Sequence, residues 1–456
     1  MANETGATAV INDQCIPAEK TEHIKDSPKS NCRWNFTMGI IHAVFFSGAT
    51  SFVHPDTVIP IFLSNLTSSS IIIGIASMIR GSLGGLGSVI PQLFVAAHLH
   101  NRTRRKPFLI KALVVRATCF FLLGLLTLLF YKRSPSLLII SGLALSFVFT
   151  ITGGVASVPF YDIWSRSLPH GMLGTFFAHR HLWGGLFAVL TGLVVTKLLG
   201  CGLIENQQKF AVLFFCAAVL MSAGFVGLGS VRERPVEKHE KTSQKRDVFL
   251  LAANVIVTDK KLRAYLYAFI LTGAPAMALP FIVVYARERL LFGAADIGLF
   301  LAVQMAGSLI VTLLWGWITD RYGCRLTAIV SSIVSIAFLC GAILSLAFPQ
   351  FPRTVMYGVY ALIGAWVPGR QVSFNKMLLR MSSEKFRPVY VALKGTFSFP
   401  LVLYPLAGAL LLRWHHNYGV LMGVTTTLAV AGCACALMLP GSTELKNARE
   451  SNNDEC

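Results

Sequence analysis

Blocks of about 20 apolar residues, the length that crosses the hydrocarbon of a bilayer, recur along this chain between Phe36 and Leu439. A basic stretch from Arg232 to Arg263, with nine Lys/Arg in 32 residues, divides them about six and six. That order fits two membrane halves joined by a charged linker. A soluble chain of this length would carry about a quarter charged residues. Here 13% are charged, 54% are hydrophobic and mean hydropathy is +0.63. The expected fold is an all-α polytopic membrane protein of twelve spans in two pseudo-symmetric six-helix bundles. The expected division is a disordered tail at 1–35, a first bundle at 36–230, the linker at 231–263, a second bundle at 264–439 and a tail at 440–456.

The net charge of +19 does not point to nucleic acid, because of where the charge lies. About 27 of the 40 Lys/Arg fall in the tails and connections of one side and about seven on the other. This positive-inside bias predicts cytoplasmic termini, and the expected residence is the cell (inner) membrane. The six remaining cations, Arg80, Lys111, Arg116, Lys197, Arg370 and Lys394, fall within spans. The ten cysteines show no metal-ligand spacing and read as small apolar packers. No loop holds a nucleophile with its base, a metal cluster or a phosphate-binding glycine loop. The reading is therefore not an enzyme, with no cofactor and no metal. The expected partners are the lipid bilayer, a small-molecule solute and, as a candidate coupling ion, the proton; the expected oligomeric state is monomer.

Span one (Phe36–Leu63) is rich in polar groups and bent by Pro55 and Pro60. Span two (Ile71–Ala97) holds Arg80 and then Gly81-x-x-x-Gly85, a close-packing spacing. Residues 159–180 read as a mixed cytoplasmic connection before span five at His181, and 247–257 as a surface helix. The halves align weakly as repeats. An offset of 224 sets Arg80 opposite Gln304, and an offset of 214 sets Arg180 opposite Lys394.

The connection after span eight reads Gly316-Trp317-Ile318-Thr319-Asp320-Arg321-Tyr322-Gly323-Cys324-Arg325. It resembles the G-x-x-x-D-R-x-G-R-R signature of the major facilitator superfamily (MFS), with Gly316, Asp320, Arg321, Gly323 and Arg325 in register and Cys324 in place of a basic residue. The copy expected after span two is degenerate: Ala96 stands where the Asp would be, and only the basic part, Asn101 to Pro107, remains. The run from Pro91 to Pro107 looks like a prokaryotic branch of MFS permeases and brings no solute with it. The resemblance implies alternating access, with Asp320 as part of a conformational lock.

A charge at mid-bilayer costs at least roughly 2.5–3.5 kcal/mol on insertion scales, so each one needs a reason. Arg80, Gln304, Arg370 and Gln371 are candidates for solute binding or gating, with carbonyl capping the structural alternative for the arginines. Asp56, His42 and His54 are candidates for proton coupling. Asp162, Arg180, Asn375 and Lys394 are candidates for a cytoplasmic gate. Cavity arginines with few buried acids favour an anionic or zwitterionic solute. The alternatives are proton-driven efflux of hydrophobic drugs, and a non-transporting receptor or assembly partner with the same fold.

Overall fold

The computed structural model describes residues 29–81, 83, 85–88, 106–233, 259–347, 352–381 and 387–441. The region around Ala96, the connection at 101–105, the proposed surface helix and residues 1–28 and 442–456 of the outer tails lie outside the described residues. Every regular element described is helical. Among them, nine stretches are long and apolar enough to cross a membrane. Spans one, two and ten fall outside that set. The long helix of span one is 24 residues but carries Asn31, Arg33, Asn35 and His42, the helix of span two is 11 residues long, and span ten carries Arg370, Gln371, Asn375 and Lys376.

Span one consists of α1 (Lys29–Phe52) and α2 (Val58–Ser64), and span two contributes α3 (Ser70–Arg80). Spans three to six are α4 (Lys106–Phe130), α5 (Pro135–Ser167), α6 (His170–Gly200) and α7 (Asn206–Gly229). Span seven is split into α8 (Lys260–Leu271) and α9 (Leu279–Glu288), around a 3-10 turn at Ala274–Met277. Then follow α10 (Ala294–Tyr322), α11 (Cys324–Ala347), α12 (Pro352–Met381), α13 (Arg387–Thr396), α14 (Phe399–His415) and α15 (Tyr418–Leu437).

Three expectations need correction. Residues 159–180 are not a long connection: α5 runs to Ser167, α6 starts at His170, and only Leu168 and Pro169 join them. Polar residues at the rim of a bundle leave backbone hydrogen bonding intact, so they do not end a helix. The glycines of span two are not a seam of a continuous helix either, because α3 ends at Arg80. A Cβ on Gly85 would meet Ile79 O at 1.8 Å, and one on Gly87 would meet Thr150 O at 1.9 Å. These glycines let the chain fold back on its own helix end and press against span four. Finally, α1 begins at Lys29, inside the expected tail. Its start is tied to the end of span six: Trp34 Nε1 donates to Ser230 O at 2.9 Å, and Asn35 exchanges hydrogen bonds with the Arg232 backbone at 3.2 and 2.9 Å.

The long helices expose apolar side chains outward, as a lipid-facing surface requires: Ile140, Val219, Val226 and Ile310 are each about two-thirds exposed or more. The buried apolar side chains divide by depth. One cluster unites both halves on the charge-poor side, joining Val53, Ile59, Phe62 and Ile73 to Phe281, Ile282, Tyr285 and Phe300. Toward the basic side, each half has a cluster of its own. One is built around Trp164 and Phe176, the other around Tyr265 and Phe374.

Polar contacts between the halves follow the same division. Arg287 donates to Ser64 Oγ at 3.0 Å and to Asn65 Oδ1, and Ser70 Oγ donates to Ala409 O at 3.2 Å. Spans five and eight meet backbone to backbone. A Cβ on Gly298 would lie 2.4 Å from Thr196 Cα, and one on Gly192 would lie 2.7 Å from Ala302 Cα. The molecule is closed on its charge-poor side.

Candidate functional site

A cavity of about 480 Å³ lies at mid-depth between the halves. Span one lines it with Ala43, Phe46, Ser47, Thr50, Ser51, His54 and Pro55; span five with Phe177, Arg180, His181, Gly185 and Ala188; span eight with Met305, Ser308 and Leu309. None of these lining residues is a carboxylate. Arg180 is half-buried. Its Nη1 donates to Gly39 O at 2.7 Å, and both Nη atoms approach His42 Nδ1, at 3.5 and 3.4 Å. Its guanidinium carbon sits 5.0 Å from the Phe160 ring centre and 5.5 Å from that of Phe176. These partners use only part of its five donors.

His54 and His42 use their Nδ1 atoms as acceptors. His54 Nδ1 takes the Asp56 backbone N–H at 3.4 Å and lies 3.2 Å from Thr57 Oγ1, while His42 Nδ1 faces Arg180. Asp56 is buried, on the far side of span one from the cavity. It lines a narrow crevice with Ser77, Ala276, Leu279, Leu401 and Pro405. Gln304 is buried, with its Oε1 unpaired among the described residues.

The two candidate arginines sit at helix breaks. Arg80 is buried; its Nη2 donates to Val53 O at 3.2 Å, and its guanidinium packs 4.7 Å from the Phe149 ring centre and 5.2 Å from that of Phe120. Arg370 is buried; its Nη2 donates to Phe269 O, its Nε faces Thr272 Oγ1 at 3.4 Å, and its guanidinium packs 4.4 Å from the Phe269 ring centre. Neither lines the large cavity. Arg116 packs on the same Phe149 ring at 4.1 Å, in room left by Gly153. Gln371 is exposed; Asn375 Oδ1 accepts from Lys394 Nζ, which also lies 5.3 Å from the Phe269 ring centre. Asp162 lies on α5, and its side chain lies outside the described residues.

The motif after span eight takes the expected turn. Gly323 has φ 93, the left-handed region that a side chain disfavours. Arg325 donates to Leu437 O, and Arg321 packs 5.7 Å from the Trp317 ring centre. Among the described residues Asp320 pairs with Lys376 on span ten, within its own half, and not with an arginine or a facing helix end. A Cβ on Gly316 would touch nothing within 4 Å. Asp320 is 73% exposed, and exposed pairs are worth roughly 0.2–1 kcal/mol. Asp320→Asn is therefore expected to leave thermal unfolding in detergent almost unchanged while slowing turnover at unaltered apparent affinity. Wild-type turnover in reconstituted vesicles would remove the lock role.

Sequence reasoning missed His181, because the helix boundary was placed at it. In the structure it is eleven residues inside α6, exposed to the cavity, with Nε2 2.9 Å from Thr312 Oγ1 on span eight.

Residues 264–454 match the sequence profile described as Major Facilitator Superfamily. No curated protein sequence matches the chain. Among solved structures, a mutant of the nucleoside transporter NupG aligns with TM-score 0.66 at 13% identity, over 90% of this chain and 100% of that one. A D-xylose-proton symporter aligns with TM-score 0.66 at 12% identity, over 91% and 99%. A POT family transporter in complex with 5-aminolevulinic acid aligns with TM-score 0.63 at 13% identity, over 88% and 95%. The C-terminal part of the chain thus carries a match to the Major Facilitator Superfamily profile, and the whole is a multi-pass membrane protein with the fold of these transporters.

Proposed function

We propose that the protein is a secondary transporter of small solutes bearing an anionic group, working by alternating access and coupled to protons. The observation that carries this reading is the composition of the cavity wall: Arg180, His181 and His54 with four hydroxyls, and no acid among the lining residues. A desolvated guanidinium with unused donors is matched by a carboxylate, sulfonate or phosphate. An apolar cation would meet only repulsion there. Lys394 of α13, held by Asn375 Oδ1 of α12, supplies a second positive centre that a solute would pass as the basic side opens. The fold likeness supports alternating access, and one similar structure holds 5-aminolevulinic acid, itself a carboxylate. The charge distribution of the loops supports cytoplasmic termini on the basic side.

The test is thermal unfolding of detergent-purified protein with benzoate, gluconate, sulfate or tetraphenylphosphonium, beside Arg180→Gln. A ligand at a hundredfold excess over Kd adds about 2.7 kcal/mol to the folded state. At least one anion is expected to raise the Tm of the wild type and to leave that of Arg180→Gln unmoved. Stabilisation of both proteins by tetraphenylphosphonium alone would replace this reading with efflux of apolar cations.

A further inference from the structure

We infer that His181 is the proton-binding group of the cavity and that its protonation is coupled to anion binding beside Arg180. The inference rests on the anion reading above and adds the coupling residue to it. One hydroxyl proton sets the tautomer of His181. Thr312 Oγ1 lies 2.6 Å from Ser308 O, and a carbonyl can only accept, so the single Thr312 proton is committed there. The 2.9 Å contact between His181 Nε2 and Thr312 Oγ1 must then be donated by the imidazole. His181 therefore carries a hydrogen on Nε2, and its Nδ1 has no partner among the described residues.

This sets His181 apart from the other two imidazoles. Nδ1 of His54 accepts from a backbone N–H, and Nδ1 of His42 faces a guanidinium. Protonating either one would turn an acceptor against a donor. Protonating His181 at Nδ1 breaks nothing, because the Nε2 bond across the halves is donated in either state. The charged and titratable groups sharing the cavity are His54 on span one and Arg180 on span five, with His42 behind Arg180; span eight contributes none. A proton on His181 therefore adds a second full positive charge next in sequence to Arg180, with no lining acid to neutralise it. An anion in the cavity compensates both charges. By linkage, the anion raises the proton affinity of His181 by the factor by which the proton raises anion affinity. Proton and anion then load together, and one proton offsets one negative charge as the halves rock.

The measurement is the affinity of purified protein for benzoate, gluconate and sulfate at about pH 5.5 and about pH 7.5, a range in which these anions keep essentially the same charge. Wild type is expected to bind roughly tenfold more tightly at the lower pH, within the usual span of such couplings. In His181→Gln the amide N–H can still donate to Thr312, but no proton can be taken up. It is expected to bind weakly at both values, with less than about a twofold difference. His181→Arg, with a permanent charge, is expected to bind tightly at both. A pH dependence that survives in His181→Gln, or wild-type binding equal at the two values, overturns the coupling role while leaving the anion reading standing. Absence of anion binding at either pH overturns both.

Discussion

Gly298→Val is expected to force the charge-poor side open and to abolish turnover. The Gly298 backbone on span eight lies so close to span five that an added Cβ would sit 2.4 Å from both Thr196 Cα and Thr196 N. Those are backbone atoms of a continuous helix, so no rotamer change can relieve the contact; one span must move. Overpacking of this kind costs typically 1–3 kcal/mol, and a bias of that size shifts a two-state equilibrium by roughly 5- to 150-fold. The arrangement penalised is the one described here, in which Gly200 against Ala295 and Gly192 against Ala302 continue the same seam. Hydrogen–deuterium exchange would report it: uptake at 58–69 and 289–297 should rise, with 315–330 unchanged. Gly358→Val, whose added Cβ meets nothing within 4 Å, is the matched control. Unchanged exchange in a normally folded Gly298→Val protein would show that the two spans do not seal this side.

Much of this architecture was legible because it is written in hydropathy. Twenty-residue apolar blocks, the divided loop charge and the Asp320–Gly323 turn each follow from one physical requirement acting on consecutive residues. What the sequence hid was the placement of breaks. Pro55 and Pro60 announced the bend of span one, but span seven breaks at Gly273–Ala278 inside a stretch that still reads as apolar. The glycines after Arg80 carry the same letters as a helix-packing motif, and only the backbone path shows that they fold the chain back. His181 was obscured for the opposite reason. A polar segment reads in the sequence as a helix end, whereas cavity-lining helices need polar residues in mid-course, as Thr50, Ser51 and Ser308 show. Arg80 and Arg370 were visible as anomalies, but the choice between solute contact and carbonyl capping depends on neighbours that lie 27 and 101 residues away along the chain.

Replacing either buried arginine by methionine is expected to cost about 2–4 kcal/mol of stability, since a buried carbonyl loses a charged donor and the aromatic stack loses its cation. A helix broken at membrane depth leaves carbonyls that no lipid can satisfy. In span seven the backbone closes around the gap: Thr272 N–H goes to Ala268 O at 2.9 Å and Gly273 N–H to Ile270 O at 3.0 Å. Among the described residues these backbone bonds pass over Phe269 O, which accepts from Arg370 Nη2 and, at 3.5 Å, from Thr272 Oγ1. Span one ends α1 at Phe52, and Arg80 takes Val53 O in the same way. The positive charge also faces the negative end of the half-helix dipole. The two halves solve one problem with residues from different spans, two and ten, which is why the repeat alignment did not pair them. Unfolding in detergent by heat or denaturant gives the result. Arg370→Lys should fall between wild type and Arg370→Met, because lysine keeps the charge and loses the planar stack on Phe269. If Arg370→Met instead unfolds like wild type and loses anion binding, Arg370 serves the solute and not the broken helix.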